Sequence, residues 1–187
     1  YVAAKLALGY ALTEIPNGIT RRTTAFFEPA LDYLVCKFPR WDLGKFWGAS
    51  TLIGSEMKSV GEVMAIGRTF AEVIQKAVRM LDIGVRGLDP DAFHFDDLRE
   101  QLRNPTPLRI FAVAQAIREG IGIDEIHELT RIDRWFLHAI EPVVKMHGRL
   151  ARSASPLPAE MLRDVKRLGF SDQAIGMLTG AAAETVR

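Results

Sequence analysis

After Leu81 the apolar residues fall into short helical stripes that run to the end of the chain. The change is punctuated by Gly84, Gly87 and Pro90, so a boundary near residue 82 is expected. Beyond it, Asp96 to Arg103 reads as a short polar helix ended by Asn104-Pro105. Leu108 to Glu119 carries Ile110, Phe111, Ala114 and Ile117 on one face and stops at Gly120. Asp124 is placed to cap Glu125 to Leu129, and Thr130 together with Asp133 to cap a long helix reaching about Leu150. Trp135, Phe136, Ala139, Ile140, Val143, Met146 and Leu150 form the expected core stripe of that helix. Pro142 lies inside it and is expected to kink or divide it, because proline lacks the N–H that an interior helical position donates. After the Pro156/Pro158 joint come two shorter helices, Ala159 to Leu168 and Ser171 to Leu178, ended by Gly169 and Gly180.

The earlier part is mixed. Val2 to Leu12 favours helix and is ended by Pro16-Asn17-Gly18. Phe26 to Phe38 is rich in aromatic and β-branched residues, with Pro29 near its start and Pro39 at its end, so a strand is predicted there. Trp41 to Trp47 suits a short helix or turn. Met57 to Arg68 reads as a glycine-broken strand, and Thr69 with Glu72 makes a capping box for the helix behind it. That helix shows Val73, Ile74, Ala77, Val78 and Leu81 on one face.

Charge excludes some functions. Residues 1–81 hold ten Lys/Arg against seven Asp/Glu, and residues 82–187 hold fourteen against sixteen, so neither part is a polyanion-binding face. A single cysteine, Cys36, forbids an internal disulfide and suits a reducing cytoplasm. No apolar run approaches the roughly 18 residues of a membrane span. The start at Tyr1 reads as the middle of a helix rather than a secretion signal, as expected of a piece of something longer.

The search for chemistry returns no catalytic, cofactor-binding or metal-binding residue. Gly54 to Ser59 lacks the glycine before Lys58 that a phosphate-cradling loop requires. His94, His127, His138 and His147 have no ligand spacing around them and read as ordinary surface or half-buried histidines. Cys36 in an apolar strand reads as a small core residue, not a nucleophile. Nothing in the sequence brings Glu28 and Glu62 together as an acid pair, while Lys58, Glu62 and Arg68 suit a structural ion-pair set. Residues 171–187 have a helix-turn-helix rhythm, yet residues 159–187 carry four basic against four acidic side chains. A DNA reader needs a basic face, so a packed helical pair is the better reading.

Four stretches resemble one family. Phe27 to Trp41 (FEPALDYLVCKFPRW), Met57 to Thr69 (MKSVGEVMAIGRT), Leu129 to Leu137 (LTRIDRWFL) and Gly169 to Asp172 (GFSD) are similar, in order, to signatures of carbamoyl-phosphate synthase large subunits. The resemblance implies a mainly α chain: residues 1–82 as the α+β tail of the first ATP-grasp half, and residues 83–187 as the all-α oligomerisation domain. It implies a ligase that makes carbamoyl phosphate from bicarbonate, glutamine-derived ammonia and ATP, with magnesium or manganese, in arginine or pyrimidine biosynthesis. It further implies self-association and, in the intact enzyme, contact with the rest of the large subunit and with a glutaminase small subunit. Nucleic acid and membrane are not among the expected partners. The family's nucleotide- and metal-binding carboxylates and its Asn-Pro-Arg stretch have no match here, so no catalytic residue is carried over, and Cys36 and Pro142 depart from its pattern. The competing reading is a free-standing helical interaction or DNA-binding module.

Overall fold

The computed structural model describes residues 1–28 and 31–186 and divides into two compact units, Tyr1–Asp32 and Tyr33–Arg187. In the first unit, α1 (Val2–Ala7) is shorter than its Ala-rich sequence suggests. Gly9 adopts φ +94°, a left-handed conformation that ends the helix before Leu12. Asn17 then folds the chain back: its side-chain oxygen accepts from the N–H groups of Ile19 and Thr20, and Pro16 bridges to Thr24.

The second unit begins with a two-stranded antiparallel ribbon, β1 (Leu34–Arg40) and β2 (Gly61–Gly67), in register from Leu34↔Gly67 to Arg40↔Gly61. The strand predicted from Phe26 starts only at Leu34, and Pro29 falls outside the described residues. Pro39 lies within β1 instead of ending it. A proline is tolerated there because β1 pairs with β2 alone and keeps one open edge. A short turn of 3₁₀ helix, Leu43–Lys45, stands where a short helix was expected.

Helices follow: α2 (Phe70–Met80), α3 (Leu98–Arg103), α4 (Arg109–Arg118), α5 (Ile123–Thr130), α6 (Arg134–Leu150), α7 (Ala159–Arg167), α8 (Asp172–Thr179) and α9 (Ala183–Val186). The mainly helical reading holds. Thr69 caps α2 by accepting the Glu72 N–H at 3.2 Å. Glu72 reaches one residue further back than a capping box does and accepts the Arg68 N–H at 2.8 Å. Val73, Ile74, Ala77, Val78 and Leu81 are all buried, as their spacing predicted.

Two caps differ from expectation. Gly122, not Asp124, precedes α5, and Asp124 instead accepts from Arg134 at 2.6 Å. Asp133 alone caps α6, while Thr130 closes α5 by donating to the Ile126 carbonyl. Pro142 does not divide α6, which runs unbroken from Arg134 to Leu150. Pro142 faces solvent, where the carbonyl it leaves without a donor meets water.

The core crosses residue 82: Ala71 and Val78 of α2 share one cluster with Leu88, Leu102, Phe111, Leu137 and Leu150. In α4, Phe111, Ala112, Val113, Ala114 and Ala116 are buried. Arg109 opens it and donates to the carbonyls of Leu102 (2.9 Å from Nε) and Thr130 (3.0 Å), the last turns of α3 and α5. Partial burial pulls its pKa below the usual arginine value. Gln75 of α2 is buried and accepts the Leu88 N–H at 2.6 Å. A Cβ at Gly87 would lie 2.3 Å from Gln75 Oε1, and one at Gly169 would lie 2.9 Å from the Glu72 Cα. The Gly169 turn therefore approaches the α2 backbone closer than a side chain permits, whereas at Gly87 a side chain would have to push the end of Gln75 aside.

Candidate assembly surface

Among the described residues of the second unit, exposed apolar groups cluster in two places, apart from single residues such as Met80 and Met177. The first is an aromatic cluster. Trp135 and Phe136, expected in the core, are 59% and 44% exposed. Asp133 starts α6 so that Leu137, Ile140, Val143, Val144, Met146 and Leu150 face inward, and this stripe leaves the two aromatics outside it. They pack instead on Phe70 at the start of α2, with ring centroids at 5.5 Å (Phe70–Trp135), 5.6 Å (Phe70–Phe136) and 5.1 Å (Trp135–Phe136). These tilted and edge-on contacts hold the rings in place while much of their area still meets water.

The second place is the ribbon. Met64 and Ile66 of β2 are each 55% exposed, and Leu34 and Val35 of β1 are exposed as well. Between the strands, Phe46, Trp47, Leu52, Met57 and Val60 are also exposed. Only Ala65 of the strands' apolar side chains is buried. Apolar surface on this scale is what a partner surface covers.

The polar residues singled out earlier scatter. Glu62 pairs with Lys37 at 3.0 Å, Lys58 donates to the Leu52 carbonyl and approaches Glu56, and Arg68 serves through its backbone. The expected Lys58/Glu62/Arg68 set does not form. Cys36 is half-buried opposite Ala65, and burial pushes its thiol pKa up, which disfavours the thiolate. Glu28 lies in the first unit and Glu62 in the second, each exposed. Of the histidines, His94 pairs with Asp96 on the surface, His127 meets the Ile132 carbonyl at 2.7 Å, and His138 approaches Glu141. His147 departs from its reading as a surface or half-buried residue: it is only 5% exposed, with Nε2 at 3.2 Å from Asp89. No signal near His147 in sequence revealed this, since Asp89 lies on the distant α2–α3 connection. The described part of α9 is four residues long, too short to fill a DNA groove, and its turn is tied to α8 by the Ala181 N–H on the Gly176 carbonyl.

A closed helical core bearing an exposed aromatic cluster, beside an open apolar ribbon, defines a class: a helical domain with surfaces suited to protein contact. The chain belongs to the carbamoyl-phosphate synthetase large-chain family, and its residues 62–187 match the oligomerisation domain. Similarity extends over the whole sequence. It is 49% identical to a mitochondrial carbamoyl-phosphate synthase (ammonia) of Aquarana catesbeiana, covering all of this chain and 13% of that protein. It is 50% identical to the multifunctional protein CAD of Squalus acanthias, covering all of this chain and 8% of that one. It is 44% identical to the carbamoyl phosphate synthase large chain of Archaeoglobus fulgidus, covering all of this chain and 18% of that one. The chain thus spans less than a fifth of the length of these relatives.

Proposed function

We propose that this chain is the assembly segment of a carbamoyl-phosphate synthase large subunit. Residues 1–82 are the tail of the first ATP-grasp half, and residues 83–187 are the helical oligomerisation domain. The observation that carries the reading is whole-chain identity of 44% to 50% with such proteins. The open ribbon supports the ATP-grasp assignment, because a two-stranded sheet with exposed Met64 and Ile66 suits burial by further strands of a larger domain. In that setting the whole enzyme makes carbamoyl phosphate from bicarbonate, glutamine-derived ammonia and ATP, with magnesium or manganese. It works beside a glutaminase small subunit, and this segment contributes structure instead of chemistry. The free Cys36 supports a reducing compartment such as the cytoplasm. The pathway names of the relatives support arginine or pyrimidine biosynthesis.

Self-association follows from this reading. The Phe70/Trp135/Phe136 cluster supports it, since exposed aromatics anchor interfaces and closed symmetric dimers are the commonest result. Sedimentation velocity on the purified chain, from micromolar to hundreds of micromolar, is expected to show a concentration-dependent shift towards dimer. A strict monomer over that range overturns assembly by this segment. An ADP-release assay on the same sample is expected to show no saturable magnesium-dependent turnover.

A further inference from the structure

Between the α2–α3 connection, α6 and α8 lies a cavity of about 330 Å³, with Gln75, Val85, Asp89, Phe93, His147 and Leu178 in its wall. On one side of it, Asp89, Asp91 and His147 bring three donor atoms within 4.8 Å of one another. We propose that these three residues form a binding site for a zinc-like divalent cation, independent of the assembly role.

The donor set argues for the class of ion. One imidazole nitrogen and two carboxylate oxygens suit zinc and its transition-metal neighbours; magnesium and calcium prefer oxygen alone. His147 is fixed by burial in α6, and Nε2 is the ring nitrogen that faces Asp89, at 3.2 Å. Asp89 is held in turn by the Asp91 N–H, which donates to its Oδ1 at 2.8 Å. Two anchors are therefore in place before any ion arrives. Donors around a tetrahedral zinc stand about 3.4 Å apart at metal–ligand distances near 2.1 Å, so the His147–Asp89 pair, at 3.2 Å, already has that spacing and Asp91 is the donor left to adjust. Asp91 is exposed on its loop and has room for that movement. The adjoining cavity leaves space for water at the fourth position.

Charge argues the same way. Two ionised carboxylates carry two negative charges, which one divalent ion cancels. Arg118, paired with Asp91, now supplies part of that countercharge. Arg118 is therefore the ion's competitor, and the site gains affinity when that competitor is removed. This sign distinguishes an ion site from a purely structural cluster, in which loss of Arg118 only loosens the loop.

The test is calorimetric titration of the 187-residue chain with zinc, repeated with cobalt(II) and followed by visible absorbance. Equimolar uptake is expected, with the intense cobalt bands of a four-coordinate site. Asp91→Asn and His147→Gln are each expected to weaken binding about tenfold or more, and Arg118→Gln to tighten it several-fold. Should His147→Gln fail to fold, the exposed Asp91→Asn and the opposite-signed Arg118→Gln still decide the matter. The proposal is overturned if the wild-type chain takes up no zinc. Uptake undiminished in Asp91→Asn overturns it too, assigning the ion to His94, His127 or His138, as does weaker binding in Arg118→Gln.

Discussion

The ribbon and the helical core contain the same kinds of side chain and use them in opposite ways. In the core, Phe111, Leu137 and Leu150 are almost fully enclosed, and the helix ends are tied by Asp133, Thr69 and Arg109. In the ribbon, Met64, Ile66 and Val35 stand in the open, and among the described residues one edge of each strand has no partner strand. A helix satisfies its own backbone and needs only one covered stripe, whereas a strand leaves half its hydrogen bonds to a neighbour. Helices closed into a shared core hold by themselves; a ribbon of two strands leans on what surrounds it.

This contrast sets a scale for substitutions. The largest loss is expected at Phe111, which is 1% exposed and stacks on Phe93 at 4.7 Å. Phe111→Ala should cost about 3–5 kcal/mol in urea unfolding, and a loss below about 1 kcal/mol would break the picture of a closed core. Next comes Arg109→Met, which leaves the carbonyls of Leu102 and Thr130 without their cationic donor. A loss of about 2 kcal/mol is expected, with faster amide exchange at the ends of α3 and α5.

Smaller effects lie where ribbon meets helix. Thr69→Ala removes the α2 cap and should cost about 1 kcal/mol. Beside it, the hydrogen bond from Lys76, then the Arg68 N–H, hold the Glu72 carboxyl below its ordinary pKa. That contribution is complete above the unfolded-chain value of about 4.3 and is lost as pH falls through the lower folded value. Acid unfolding of Glu72→Gln should accordingly be less steep in that window than that of the wild type. The smallest effect is expected at Ile66→Ser, within about 0.5 kcal/mol, because the side chain already meets water. A loss of 2 kcal/mol or more in thermal melts would mean that a second copy covers the ribbon.

Sequence made the helices legible wherever cap and stripe agreed. Thr69, Glu72 and the Val73/Ile74/Ala77/Val78 face identify α2 without any tertiary information. In α6 the stripe was correct at Ile140, Val143, Met146 and Leu150, which are buried, and wrong at its start: Trp135 and Phe136 attract a core assignment by size, but Leu137 begins the buried stripe. Pro142 suggested a break because proline's penalty is local, whereas the tolerance comes from its outward position. The Asp89/Asp91/His147 group was illegible, since its members join only when the α2–α3 connection folds against α6. The family motifs identified the chain where spacing alone stopped at an α+β piece followed by helices.

Gln75, seated beneath Gly87, links two distant positions through one contact. Oε1 occupies the space where a residue at 87 would place its Cβ, so a side chain there requires the Gln75 amide to swing aside and give up the Leu88 N–H. A relative with alanine in place of Gly87 is expected to hold a shorter residue at the position of Gln75 or to turn the glutamine away, and in either case to find another acceptor for the Leu88 N–H. The trace expected of this contact is a tendency of the two positions to change together across lineages, readable from aligned sequences with no structure at hand.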